Sequence, residues 1–142
     1  MATIVGLADA VVADLNSEGW SLPFVAQRLY RPRFDLAELT TLKVSVVPRS
    51  MTIETASRAD DGRRYQLDLA IQQKLEAETA GQIDQLLGLA EEIARFFRSR
   101  RPASLPQAVC VKVENEPVYA VEHLDELQCF TSVIRLTFLV VD

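Results

Sequence analysis

Residues 64–75 alternate between apolar and polar side chains, which is the pattern of a β-strand with one buried face. Tyr65, Leu67, Leu69 and Ile71 fall on one face at a period of two residues. The other face carries Arg64, Gln66, Asp68, Ala70 and Gln72. This second face is polar without being highly charged, so either water or another protein chain could cover it.

A second strand is predicted at residues 52–58, joined to the first by a polar loop at residues 59–63. Asp61-Gly62 is the strongest turn signal in the chain and predicts a hairpin. Because residues 52–58 are weakly apolar, we expect this strand at a sheet edge or in a hairpin that extends past the body of the protein. Residues 42–47 predict a separate short strand that ends at Pro48, since proline cannot donate to a sheet ladder.

Two segments show the helical period instead. Residues 3–16 have apolar positions at helical spacing, and Thr3 is placed to cap the first turn. Residues 79–99 predict a second helix with a single apolar stripe. This stripe consists of Ile83, Leu86, Leu87, Ala90, Ile93, Ala94 and Phe97. Residues 33–41 predict a short helical turn or loop.

The remaining apolar segments predict further strands. One lies near residues 24–31, and another covers residues 109–113 with its three valines pointing inward. Residues 118–124 are predicted to be the hairpin partner of 109–113. Residues 130–141 predict a long final strand that is apolar on both faces, which is typical of a central strand or of one covered by a neighbouring chain.

These elements predict an α+β fold, with a single mainly antiparallel β-sheet flanked by two α-helices. Hairpin spacing dominates, and the strand–helix–strand alternation of a doubly wound fold is missing. The length of 142 residues predicts one domain spanning residues 1–142, with an extended hairpin or loop at about residues 48–64.

The charge of the chain narrows the classes of partner. The formal net charge is −5 and the isoelectric point is about 4.9. Such an acidic chain is poorly suited to gripping phosphate backbones, because that requires many Lys or Arg contacts. Residues 1–10 lack the basic region of a signal peptide, and no apolar run approaches the roughly 20 residues of a membrane span. We therefore expect a soluble protein of intracellular origin with no membrane partner.

Catalysis has weak support in the sequence. An enzyme would have to use His123 or Cys129, and nothing local forces these two side chains within hydrogen-bonding distance. Cys110 and Cys129 are expected to be free thiols packed as small hydrophobic residues. One histidine and no CxxC or HxxxH pattern give a zinc site almost no support, and there is no glycine-rich phosphate loop. We expect no catalytic residue, no cofactor and no metal, and hence no enzyme.

Arginine residues concentrate in the predicted hairpin of this otherwise acidic chain. They are Arg49, Arg58, Arg63 and Arg64. One reading is a solvated loop. The other is an electrostatic docking element for an acidic partner, because arginine is favoured in interfaces and forms bidentate pairs with carboxylates. The sequence leaves both readings open.

The succession of these elements resembles the small tail-terminator, or tail-completion and neck (head–tail joining), proteins of tailed bacteriophages. The resemblance lies in LADAVVADLN, LTTLKVSVVPRS, TASRADDGRRYQLDLAIQQKL, IDQLLGLAEEIARFFRS and FTSVIRLTFLVV. Together these segments cover most of the chain, and residues 102–128 match the pattern least.

The resemblance implies a structural virion protein with an α/β sandwich of the tail-terminator type. Such proteins form rings, commonly hexamers, at the head-proximal end of the tail tube. They terminate the tail and join it to the neck or connector proteins, and DNA passes through the lumen without specific binding. The implied partners are further copies of the chain, the tail tube protein and the connector, in a virion assembled in the host cytoplasm. The segment that matches the docking element of this family is the hairpin, so the resemblance gives its arginines, Arg49, Arg58, Arg63 and Arg64, a docking role.

Two further interpretations stay open. Within the same class, the chain could be a head-completion or adaptor protein of the neck, bound to the portal rather than to the tube. In a different class, it could be a small cellular α+β module with a concave apolar ligand site containing a few polar groups.

Overall fold

Helices and strands alternate irregularly along the chain in a computed structural model, which describes residues 2–32, 37–55, 61–75 and 80–141. The helices are α1 (Ile4–Ser17), α2 (Ala80–Phe97) and α3 (Val121–Leu127), and a short 3-10 turn covers Glu38–Thr40. The strands are β1 (Ala26–Arg28), β2 (Lys43–Thr55), β3 (Asp61–Lys74), β4 (Ala108–Glu114) and β5 (Cys129–Val141).

The five strands form one sheet in the order β1-β2-β3-β5-β4. β1 runs parallel to β2, and the other three pairs are antiparallel. The protein is therefore α+β with a mixed, mainly antiparallel sheet, as predicted. β5 lies between β3 and β4, which confirms the central position expected for a strand that is apolar on both faces.

The two long helices pack on the same face of the sheet, which we call the helix face. Its strand residues are fully buried in one core with both helices: Val44, Val46, Leu67, Leu69, Ile71, Ile134, Leu136 and Phe138. The opposite face carries Ser45, Gln66, Asp68, Ala70 and Arg135. We call it the open face because neither long helix packs on it, although Ser45 and Ala70 are themselves fully buried. Neither α1 nor α2 contributes its buried residues to the open face, so the two predicted flanking helices form a single layer.

Both predicted helices are present, and each buries an apolar stripe. Thr3 accepts a hydrogen bond at its Oγ1 from the backbone N–H of Gly6, at 3.0 Å, which confirms the predicted N-cap of α1. α1 buries Leu7, Ala8, Ala10, Val11 and Leu15, and α2 buries Leu86, Leu89, Ala90, Ile93 and Phe97. Burial of this kind contributes about 1.5–3 kcal/mol for each large apolar side chain.

The prediction that a strand ends at Pro48 is wrong, because β2 continues through this proline to Thr55. The backbone N–H of Leu29 donates to the carbonyl of Val46, so the backbone groups of Val46 face β1. Alternate residues of a strand point the same way, and the nitrogen of Pro48 therefore also faces outward, beyond the end of β1. The missing N–H removes no bond to β3, and the sheet accommodates Pro48 with a bulge at Arg49.

The predicted turn at Asp61-Gly62 is also wrong. Asp61 and Gly62 belong to β3, where they pair with Thr55 and Glu54 of β2. The segment that connects these strands is 56–60, and it lies outside the described residues. Asp-Gly locally favours a turn, but here β2 and β3 stay paired as far as these two residues, so the ladder is longer than predicted.

The prediction of a strand at residues 118–124 is wrong as well, because α3 occupies Val121–Leu127. Glu, Leu and Asp outnumber β-branched residues there, and Gln128 ends the helix with a left-handed backbone (φ 49°). A second error concerns β4, which contains a bulge between Cys110 and Lys112. The bulge leaves Val111 exposed, while Ala108 and Cys110 are buried in its place.

Candidate assembly surface

The far part of β2, residues 50–55, is the least protected strand segment in the described part of the sheet. Every residue from Arg49 to Thr55 is exposed. β1 pairs only with Val44–Val46, so among the described strands residues 50–55 pair with β3 alone. We call residues 50–55 the outer half of β2.

The outer edge of β1, by contrast, is protected. The side chain of Asn16 accepts a hydrogen bond from the N–H of Ala26 at 2.7 Å and donates one to its carbonyl at 3.1 Å. These two groups of Ala26 point away from β2, because the N–H of Leu29 points towards it. On this side of the sheet, the edge that another strand could extend is therefore the outer half of β2.

Two apolar side chains stand on this outer half. Met51 is 54% exposed and Ile53 is 56% exposed. They pair with Tyr65 and Arg63, which places them on the helix face of the sheet. The face that forms the core nearer to β1 thus continues to the end of β2, where no helix of the described structure buries it.

The structure separates the three described arginines of the four that the sequence grouped. Arg49 and Arg64 are exposed, and Arg64 lies on the open face. Arg49 donates to the carboxylate of Asp68 at 3.0 Å, and Asp68 also accepts from Nε of Arg135 at 3.4 Å. This cluster lies on the open face as well. Arg58 lies outside the described residues.

Arg63 has a different environment from the other two described arginines, because it is only 6% exposed. Its guanidinium donates to the backbone carbonyl of Ala2 and, at 3.1 Å, to the hydroxyl of Tyr65. Arg63 therefore fastens the segment preceding α1 to the sheet. It is not part of an exposed docking cluster.

The buried position of Arg63 could have been predicted from the alternation of residues in the sequence. Arg63 is in phase with Tyr65, Leu67 and Leu69, whereas Arg64 is in phase with the polar positions. Treating residues 59–63 as a loop concealed this alternation. The exposed apolar positions that the sequence reasoning missed, Met51 and Ile53, follow the same rule, because they alternate along a strand that was expected to begin at residue 52.

The two neighbouring arginines should respond very differently to charge reversal. We expect Arg63→Glu to lower the free energy of unfolding by about 2–3 kcal/mol, because it removes buried hydrogen bonds and brings a carboxylate next to the carbonyl of Ala2. Arg64→Glu is the matched control and should change stability by no more than about 0.5 kcal/mol. Urea denaturation of both variants measures the difference. Equal loss in the two variants would contradict the assigned role of Arg63.

The residues considered for catalysis form a short hydrogen-bonded chain near the start of β5. Nδ1 of His123 lies 2.9 Å from Oγ1 of Thr131, and Sγ of Cys129 lies 3.8 Å from the same oxygen. Burial raises the pKa of the Cys129 thiol, and it raises the pKa of Cys110 to about 11. Both thiols are therefore protonated near neutral pH. A catalytic thiol requires the opposite shift.

Other chemical sites are sparse in the described structure. Within residues 2–32, 37–55, 61–75 and 80–141, no three His, Cys, Asp or Glu side chains are grouped to hold a metal ion. No described helix is long and apolar enough to cross a membrane. An open groove of about 580 Å³ lies beside β1, with Leu22, Phe24, Val25 and Leu42 among its lining residues. Among its described lining residues, Lys43 is the one that carries a charge.

No protein-family model matches the chain, and no curated protein is significantly similar to it.

Proposed function

We propose that this chain is a structural virion protein of a tailed phage. It forms a ring, hexameric by the family resemblance, at the head-proximal end of the tail tube. The ring terminates the tail and joins it to the neck or connector, and DNA passes through the lumen. Supporting this proposal are the resemblance of the successive segments and a fold that leaves assembly surfaces uncovered.

The observation that carries the proposal is the outer half of β2. No strand of the described residues pairs with its outer side, and it presents Met51 and Ile53 to solvent on the helix face. Natural proteins usually interrupt or cover such an edge, because it recruits other strands, and here Pro48 and the bulge at Arg49 interrupt β2 only where residues 50–55 begin. An edge of this kind, retained with exposed apolar side chains, is favourable in a subunit that is completed by its neighbour.

The charge of the chain suits contact with moving DNA. The net charge of −5 opposes tight adhesion to a phosphate backbone. Arg49 and Arg64 nevertheless give the open face local positive charge that could meet acidic patches on a tube or connector protein. This division agrees with a ring that holds protein partners and lets DNA pass.

The experiment that tests this function combines mass measurement with electron microscopy. Purified protein is weighed by native mass spectrometry across a range of concentrations, with and without isolated phage tails that lack heads. We expect closed rings with a central hole wide enough for duplex DNA, and binding to one end of the tails. A monomer under every condition, including the presence of tails, would refute the proposal.

Binding to headless tails or to filled heads distinguishes a terminator from a head-completion or adaptor protein. A terminator binds headless tails, whereas an adaptor binds filled heads through the portal. Recovery of the chain on heads and not on tails would indicate an adaptor instead of a terminator.

The groove beside β1 favours a second candidate, a ligand-binding module. Its volume of about 580 Å³ is within the range of small-molecule sites, and its lining combines apolar residues with Gln27, Thr40 and Gln73. A fragment screen observed by NMR tests this candidate. Binding that depends on Phe24 and persists in a monomer would favour the module over the ring.

A further inference from the structure

The direction of the backbone groups along β2 can be followed through its bulge from the strand register. Val46 faces outward, because its carbonyl accepts from the N–H of Leu29 in the segment after β1. Backbone groups alternate in direction along a strand, so Val47 faces β3 and meets its partner Asp68 there. Every second residue of β3 then faces β2, and these residues are Asp68, Gln66, Arg64 and Gly62.

Three residues in the outer half of β2 therefore direct both backbone groups away from the sheet. Ser50, Thr52 and Glu54 pair with the residues of β3 that face β2, so they face β3 themselves. The residues that alternate with them face outward, and no described residue bonds to their backbone N–H or C=O groups. These outward residues are Met51, Ile53 and Thr55.

This short edge is complementary to a second copy of itself. A two-fold axis at Ile53, perpendicular to the sheet, makes two copies of β2 antiparallel, with the two Ile53 residues opposite each other. The same operation places Met51 of each copy opposite Thr55 of the other. Facing residues of an antiparallel pair exchange both N–H···O=C bonds, so every outward N–H and C=O of the edge would be bonded.

The residues next to this edge limit the ladder to Met51–Thr55. The bulge at Arg49 interrupts the regular alternation, and Pro48 has no N–H to donate to a second strand. β1 occupies the outer side of β2 only at Val44–Val46, so its pairing does not reach the ladder. A second copy would therefore meet a short ladder with a fixed centre at Ile53.

Apolar side chains would meet on one face of this pairing. Met51 and Ile53 are 54% and 56% exposed on the helix face. An axis perpendicular to the sheet leaves each face on its own side, so the helix faces of the two copies become continuous. Ile53 would then contact Ile53 of the second copy, and Met51 would lie beside Thr55 of that copy. Pairing thus covers apolar side chains that stay exposed in a single chain.

Charges on the open face favour this register over its neighbours. Thr52 pairs with Arg64 in its own sheet and would lie opposite Glu54 of the second copy. Two strand spacings of about 4.8 Å separate Arg64 from that Glu54, and their long, exposed side chains can span this distance. An axis at Glu54 would instead place two carboxylates opposite each other, which is unfavourable. An axis at Thr52 would place Thr55 opposite the bulge at Arg49.

We propose that the free chain forms a two-fold dimer in which residues 51–55 of β2 pair with the same residues of a second copy, centred on Ile53. The contact is isologous and closes after two copies. This inference goes beyond the proposed ring, whose repeated contact is heterologous. In the proposed function a ring neighbour completes the outer half of β2, so assembly on a tail would open this dimer.

Disulfide formation between two cysteine variants tests the contact and its register. Thr52→Cys and Glu54→Cys proteins are mixed, allowed to exchange subunits, and oxidised mildly. Facing residues that exchange no hydrogen bonds have Cα atoms about 4.5 Å apart, within the range of a disulfide, so we expect a covalent dimer with one chain of each variant. Cys110 and Cys129 are buried, and burial raises the pKa of both thiols, so the wild-type chain should give no covalent dimer.

Sedimentation velocity without tails measures the same association. Ile53→Glu places two carboxylates at the centre of the ladder, so it should raise the dimer Kd at least roughly tenfold. Ile53 is already 56% exposed, and circular dichroism should show a folded variant. Val25→Glu is the matched control, because Val25 is 69% exposed and lies before β1, away from the ladder. It should leave the Kd of the dimer unchanged.

Several outcomes would overturn this inference. Disulfide dimers of Thr52→Cys alone or of Glu54→Cys alone would indicate another register, and a dimer unaffected by Ile53→Glu would indicate another surface. A free chain that is monomeric, or already a closed ring, and gives no mixed disulfide would overturn the dimer and leave the ring to its own test. A dimer with the mixed disulfide that never binds tails would support this contact and refute the ring.

Discussion

Replacing Arg100 with methionine should lower the free energy of unfolding by about 3 kcal/mol. Asp14 lies on α1 and its side chain is only 4% exposed. Its carboxylate accepts from Nε of Arg100 at 2.9 Å and from the N–H of Ala103 at 3.3 Å. Without Arg100, a buried negative charge would keep a single long hydrogen bond. The guanidinium also lies 4.0 Å above the ring of Phe96, so the substitution removes a cation–π contact as well.

A double-mutant cycle separates the charge effect from lost packing. Adding Asp14→Asn to Arg100→Met removes both charges, and we expect it to recover a large part of the lost stability. Arg95→Ala is the matched control, because Arg95 forms an exposed pair with Glu91 at 2.6 Å that should contribute less than about 0.5 kcal/mol. Denaturant midpoints for the wild type, the two single variants Arg100→Met and Asp14→Asn, the double variant and the Arg95→Ala control measure these terms. An Arg100 variant as stable as the Arg95 variant would show that the Asp14–Arg100 ion pair does not stabilise the contact between α1 and the segment after α2.

Truncation of Phe97 to alanine should cost about 3–5 kcal/mol. Phe97 is the last residue of α2 and is fully buried. Its ring meets Phe96 edge to face, with centroids 5.0 Å apart, and Phe96 in turn contacts Trp20. The loss would combine apolar area, an unfilled cavity and an aromatic contact worth about 0.5–1.5 kcal/mol. Thermal and urea unfolding of the variant measure it.

Phe97→Leu keeps most of the volume and should retain more than half of the stability that the alanine variant loses. Val5→Ala provides a surface control on a long helix, because Val5 is 40% exposed. If Phe97→Ala were as stable as Val5→Ala, the end of α2 would not be part of the core.

Much of the sheet was predictable from the sequence, because in each of its long central strands the burial of side chains follows a regular pattern. The alternation from Tyr65 to Ile71 identified the buried face of β3 without any knowledge of its neighbours. Apolar residues on both faces of β5 placed it in the centre of the sheet. In both strands, burial of side chains determines the pattern, and the pattern is visible in the sequence.

The errors occurred where tertiary context overrides local preference. Pro48 ends a strand only if its nitrogen faces a neighbour, and here it faces outward beyond β1. Asp61-Gly62 forms a turn only if the strands end there, and in this fold the ladder continues past it. The candidate surface was harder still, since Met51 acquires significance only when β1 is seen to end opposite Val46.

Pro48 and the neighbouring bulge also influence how readily the exposed edge of β2 pairs with other strands in an isolated chain. A long, flat, unpaired strand is a template for cross-β aggregation, and β2 spans Lys43–Thr55. The proline withholds a donor on the outer side, and the bulge interrupts the regular repeat next to it. An isolated chain therefore offers incoming strands a short, interrupted edge with a charge at Glu54, which disfavours fibril growth.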